Sequence, residues 1–215
     1  TDSTRTFEFI RDSGKIDIVI HLAAAVAPVK CEIENEWAWD TTVRGTENLI
    51  DVCEQFKTGR FILMSTPCVF SGEEGGYYED SIPNPKNFYG LTKLVQETVV
   101  RRSKLAWTIV RGNFVPFEKW PYPRAFVARF GTYLFSHQLS KGIKEVLETL
   151  STIGKIVHIV GDKKISMFEL AKRCPDSQNV GEITLEEYYR NDPNACKLTK
   201  DMSLRSSFWK TYSID

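Results

Sequence analysis

The sequence predicts an α/β fold built on a parallel β-sheet. Three observations carry that expectation. Short apolar runs rich in β-branched residues, at 16–22, 61–64 and 107–110, are continuous rather than alternating, as suits strands covered on both faces. Segments of helical periodicity separate them. Each run ends in small or polar residues: Ala23, Ala24 and Ala25 after the first, Ser65 and Thr66 after the second, Arg111 to Asn113 after the third. Ligands of open α/β sheets gather at such carboxyl ends.

Taken in order, Phe7, Ile10 and Arg11 fit a short helix beside the first strand. Residues 36–56 then place Trp37, Thr41, Gly45, Asn48, Leu49, Val52 and Phe56 at helical intervals, which predicts one long helix ended by Gly59. After the second strand, residues 71–86 hold Gly72, Gly75, Gly76, Pro83 and Pro85, too many breakers for regular structure and more like a working loop than a linker. YGLTKLVQETVVRRSK reads as a helix leading into the third strand. Prolines and aromatics then crowd FVPFEKWPYPRAF, which suits either a substrate-facing segment or a chain crossing. A helix over 139–150 and a strand over 156–160 follow. Ser166 with Glu169 forms a capping-box signature for a helix reaching Arg173, and Thr184 with Glu187 repeats it before 186–190. The tail from Asp192 is polar and weakly patterned.

The 215 residues suit one good-sized domain or two small ones, long enough to bury a core without staples. With 42% apolar and 26% charged residues, the composition is that of a water-soluble globule. Lys and Arg number 28, as do Asp and Glu, and a formal net charge of zero argues against a nucleic-acid polymer as partner. No apolar stretch approaches the roughly 18 residues of a membrane span. The opening TDSTRTFEFIRDSG has neither a basic nor an apolar signal region. Cys31, Cys53, Cys68, Cys174 and Cys196 include no CxxC pair, and His21, His137 and His158 stand apart, so no metal site is expected. Reduced cysteines and a cytoplasmic location are the expectation.

The sharpest chemical signal is Tyr89-x-x-x-Lys93. Four residues apart on a helix, the two side chains share a face. There an ammonium can favour the phenolate of a tyrosine that otherwise titrates near 10. Thr66, at the end of the second strand, could hydrogen-bond a substrate carbonyl oxygen while Tyr89 gives that oxygen a proton. The matching hydride requires a cofactor, since no amino acid supplies one. Ser65 is the lesser hydroxyl, and Thr92 is expected to bond to its own helix backbone.

These segments resemble the extended short-chain dehydrogenase/reductase family, and within it the dTDP-4-dehydrorhamnose reductase branch. IDIVIHLAAAVAPVKCE is similar to the family's fourth strand and the alanines beneath the cofactor. WAWDTTVRGTENLIDVC resembles the helix usually written VNxxGTxNL, and STPCVFSG resembles STDYVFDG. YYEDSIPNPKNFYGLTKLVQE resembles YxExDxPxPxNxYGxSKLxGE. LSKGIKEVLE and DMSLRSSFWK are looser counterparts of substrate-lobe segments. The resemblance implies a Rossmann-like sheet over 1–115 and a mostly substrate-binding lobe over 116–215, interleaved with the last strands. It implies a catalytic Thr66, Tyr89 and Lys93, an NAD or NADP cofactor, and a nucleotide-sugar substrate. Asp2, Ala23, Ala24, Ala25, Thr42, Tyr89 and Lys93 would face the cofactor, and Thr66 and Asn113 the substrate. A homodimer through the long helices is implied by the same likeness.

The departures are specific. Thr42 stands where the family helix has asparagine, Val26-Ala27-Pro28-Val29 where the branch has TxVD, and Pro67-Cys68 where it has Asp-Tyr. Sugar-nucleotide dehydratases would carry Asp-Glu after the threonine, so dehydration is not expected. No GxxGxxG turn occurs. The family likeness therefore implies a preceding segment of about 60–80 residues, two βα units, that would cradle the pyrophosphate. Three functions follow: a reductase of a nucleotide-linked sugar, an epimerase using the same three residues, or a non-catalytic regulatory subunit that keeps the fold.

Overall fold

Four parallel strands form the central sheet of the computed structural model, which describes residues 2–192 and 195–215. Their order follows the chain: β1 (Ile18–His21), β2 (Arg60–Ser65), β3 (Ala106–Arg111) and β8 (Lys155–His158). Helix α1 (Ser3–Asp12) precedes β1. Helices α2 (Pro28–Ile33), α3 (Asn35–Trp39) and α4 (Gly45–Gln55) lie between β1 and β2, and α5 (Phe88–Arg102) lies between β2 and β3.

Side-chain alternation along β2 explains why it reads as a continuous apolar run. Phe61 and Leu63 point to one face, where they pack with Ile50, Cys53 and Val100 of α4 and α5. Ile62 and Met64 point to the other, against Leu139 and Val146 of α6 (Ser136–Glu148). Full burial of such side chains stabilises by about 1.5–3 kcal/mol each. Arg60, at the start of β2, fastens α6 from its far end: Nη1 donates to Leu147 O at 2.6 Å and Nη2 to Val146 O at 2.9 Å. A guanidinium there also meets the negative end of the helix dipole.

The first strand departs from the expectation of cover on both faces. β1 is an edge strand, and Ile18 and Ile20 are 44% and 41% exposed. Val19 joins the α4–α5 core, whereas α6 lies across β2 and β8 and does not reach β1's other face. The expected single helix over 36–56 is also interrupted. A π-helical turn, Asp40–Arg44, separates α3 from α4. Such turns admit an extra residue per turn and recur at functional sites. Here Thr46 Oγ1 donates back to Thr42 O at 2.6 Å, and Thr42 Oγ1 accepts from Ala25 N at 3.0 Å.

The remaining elements build a lobe of short strands. β4 (Asn113–Val115) pairs with β7 (Tyr133–Phe135), and β5 (Arg124–Phe126) with β11 (Gly181–Ile183). β6 (Phe130–Gly131) lies between β10 (Ile165–Ser166) and β12 (Asp201–Met202). β9 (Val160–Gly161) pairs with β13 (Thr211–Tyr212), so the weakly patterned tail is stitched back into the lobe. Helix α7 (Met167–Arg173) has the anticipated capping box, with Ser166 Oγ accepting from Glu169 N at 3.1 Å and Glu169 accepting from Ser166 N at 2.7 Å. At α8 (Leu185–Asn191) only half of the expected box forms: Thr184 Oγ1 accepts from Glu187 N at 3.1 Å, while the Glu187 carboxylate pairs with Arg124. All five cysteines are unpaired and buried.

Candidate active site

The carboxyl end of β2 meets the first turns of α5, and this junction places the three expected catalytic residues together. Thr66 follows β2 directly and caps a 3₁₀ turn, Pro67–Val69, its Oγ1 accepting from Cys68 N at 3.2 Å. Asn87 caps α5, its side-chain oxygen accepting from Gly90 N at 2.8 Å. Gly90 is needed because helix and turn touch: a Cβ there would stand 2.3 Å from Cys68 O. Tyr89 therefore emerges beside the Thr66 turn, and the nearby Thr66 hydroxyl works to lower the pKa of its phenol.

The electrostatics differ from the simple expectation of a lysine lowering a tyrosine. Burial is the largest influence on Tyr89 and pushes its phenol up, with Thr66 opposing. The ring packs against two buried clusters, one that includes Ala25 and Cys31 and one that includes Cys68, Tyr133 and Met202. Lys93 is 3% exposed, and desolvation brings it down to about 8 while Glu97 works against that. Its Nζ donates to Met64 O at 2.8 Å and to Gln96 Oε1 at 2.5 Å. A buried lysine with two protein acceptors is not a solvated surface cation.

A buried ion pair holds α5 over the strand ends. Arg111 at the end of β3 donates to Glu97 through Nε at 2.9 Å and Nη2 at 2.6 Å, and Ser65 Oγ donates to Glu97 Oε1 at 2.5 Å. Ser65 is thus committed to this structural tie. Thr92 bonds to Tyr89 O at 2.9 Å, as anticipated.

The other expected ligand-facing residues lie on separate elements. Ala23 is exposed and Ala24 half-buried at the end of β1, while Ala25 is buried and tied to Thr42. Asn113 begins β4, its Nδ2 3.5 Å from Met202 O. Asp2 caps α1, accepting from Arg5 N at 3.1 Å.

Three residues of this region were not anticipated. Gln96 and His21 form a buried polar cluster behind Lys93. Gln96 stands where the family stretch YGxSKLxGE has glycine, and that departure was the available signal. Burial holds His21 down to about 4, with Lys93 adding to the effect, so its imidazole is neutral near pH 7. Tyr133 packs in the same core as Tyr89, and its buried hydroxyl has no hydrogen-bond partner among the described residues.

A parallel sheet whose second strand delivers a threonine to a Tyr-x-x-x-Lys helix defines the extended short-chain dehydrogenase/reductase class. The chain belongs to the RmlD substrate binding domain family, whose model matches residues 1–138. It is similar to a dTDP-4-dehydrorhamnose reductase from Bacillus anthracis solved in complex with NADP, with a TM-score of 0.81 at 20% identity, covering 95% of this chain and 76% of that one. A hypothetical dTDP-4-dehydrorhamnose reductase from Sulfolobus tokodaii has a TM-score of 0.77 at 28% identity, with 94% and 76% covered. Methionine adenosyltransferase 2 subunit beta of Xenopus tropicalis is 37% identical over 98 residues, 45% of this chain and 29% of that protein. The matches to this and other curated relatives span less than half of those proteins' length. No helix among the described residues is long and apolar enough to cross a membrane.

Proposed function

We propose that the chain carries the catalytic centre of an NAD(P)-dependent oxidoreductase that reduces the keto group of a nucleotide-linked sugar, as a dTDP-4-dehydrorhamnose reductase does. One observation carries the reading. A lysine 3% exposed lies one helical turn from a half-buried tyrosine whose phenol is influenced by the Thr66 hydroxyl at a strand end. Burying a charged lysine costs several kcal/mol unless it is compensated, so the position is a built one.

The residues present fit the nicotinamide end of a dinucleotide. Ala23 and Ala24 present only small side chains after β1, Thr42 steadies the segment through Ala25, and the two hydrogen bonds of the Lys93 ammonium leave a third donor. When bound, NAD(P)H supplies the hydride. Tyr89 gives its phenolic proton to the substrate oxygen, and Thr66 donates a hydrogen bond to the same oxygen. Lys93 stabilises the phenolate left behind through its charge and gives its remaining donor to a ribose hydroxyl. Asn113 contacts the substrate, and Asp2 stands toward the adenine end. A cytoplasmic homodimer completes the reading.

The test is to mix the full-length protein with NADH or NADPH and nucleotide-linked 4-keto sugars and follow cofactor oxidation. Sugar-dependent oxidation is expected. Absence of cofactor binding would overturn the reading. An epimerase would instead interconvert sugars without net cofactor oxidation.

A second reading, a binding or regulatory subunit that keeps the fold, draws on the 37% identity over 98 residues to a protein named as a subunit of methionine adenosyltransferase 2. A stable complex with another subunit of a methionine adenosyltransferase, with no cofactor oxidation on any sugar, would favour it.

A further inference from the structure

Lys93 is anchored from behind by side chains outside the catalytic trio. An ammonium offers three hydrogens and no acceptor. Met64 O takes one at 2.8 Å and Gln96 Oε1 a second at 2.5 Å. Gln96 has no exposed surface. Because Lys93 can only donate, the carboxamide must turn its oxygen to Lys93 and its nitrogen away. That nitrogen donates to Thr46 Oγ1 at 2.7 Å and lies 3.2 Å from His21 Nε2. Thr46 donates to Thr42 O, and Thr42 Oγ1 accepts from Ala25 N. A continuous line of polar contacts thus runs from Lys93 on α5, through Gln96, to the alanine segment after β1. A glycine at this position could make neither side-chain bond.

We propose that Gln96 is a positioning residue for Lys93, holding its ammonium so that a single donor remains for the ligand side and coupling it to the alanine segment. The inference rests on the reading of Lys93 as part of the active site. The titratable groups that act on Lys93 or feel its charge are His21 from β1 and Glu97 from α5, with Arg111 of β3 paired to Glu97, and Tyr89 lies one turn earlier on the same helix. His21 is neutral near pH 7, so the carboxamide oxygen is the polar side-chain acceptor bonded to the ammonium.

The test follows Lys93 directly in the full-length protein, by NMR titration of 15N-labelled lysine Nζ, with Lys93→Met identifying the signal. Gln96→Glu places a charge beside the ammonium and should move the Lys93 midpoint up. Gln96→Met fills similar volume without an acceptor and should move it down. NADPH affinity, measured in parallel, should fall about tenfold in Gln96→Met and be held by Gln96→Glu, which keeps the oxygen. A Lys93 midpoint unchanged in Gln96→Glu overturns the proposal. If Gln96→Met does not fold, the direction of shift in Gln96→Glu decides alone. Failure of the parent protein to bind NADPH would instead count against the oxidoreductase reading, since the Lys93 titration is read without cofactor.

Discussion

A Cβ placed on Gly90 would lie 2.3 Å from the carbonyl oxygen of Cys68, so α5 rests directly on the turn that carries Thr66. The distance between Tyr89 and Thr66 is set by this contact. Gly90→Ala should force helix and turn apart and destabilise the fold by about 1–3 kcal/mol, the usual cost of overpacking. Urea unfolding measures the loss. Any turnover of the full-length protein should fall further than stability does, because Thr66 and Tyr89 no longer act on one oxygen. An unchanged urea midpoint would show that the contact is slack.

The Arg111–Glu97 pair is the main electrostatic tie between the strand ends and α5, both side chains being 2% exposed. Removing one partner strands the other in a low-dielectric site. Arg111→Met alone should cost about 3–5 kcal/mol. Adding Glu97→Gln, which leaves an acceptor for Ser65, should recover much of that loss. A double-mutant cycle by chemical denaturation reads the coupling; additive effects would refute it.

Stability should fall in acid before the carboxylates are titrated. His21 and His158 are both held down to about 4 by burial, against about 6.5 for an unfolded histidine. Between those values the unfolded chain binds protons that the folded chain refuses, so stability drops as pH falls from 6.5 toward 4. For His21 the loss is on the order of 3 kcal/mol at pH 4. His21→Asn should flatten this part of the pH profile. A parent urea midpoint equal at pH 7 and pH 4.5 would contradict the prediction.

Local signals were readable in the sequence wherever the physics is local. The Ser166–Glu169 capping box, the buried run of β2 and the shared helix face of Tyr89 and Lys93 each depend on residues a few positions apart. Tertiary burial was not readable. It raises Tyr89 where the neighbouring lysine alone would lower it, and it leaves Ile18 and Ile20 open on an edge strand. Gln96 lies only three residues from Lys93, but the cluster joins the two to Met64, Thr46 and His21, 29 to 75 positions away, a spacing no periodicity marks. Gln96 was visible only as a departure from a glycine. The π turn at Asp40–Arg44 was hidden because its residues fit helical spacing nearly as well.

Tyr89 is the proposed proton donor of a nicotinamide-dependent reduction. Tyr89→Phe removes one oxygen and keeps the packed ring. In the full-length protein, with NADPH and a nucleotide-linked 4-keto sugar, this variant should lose about a hundredfold or more in kcat while its NADPH affinity stays within about twofold of the parent. Turnover equal to that of the parent would contradict the account.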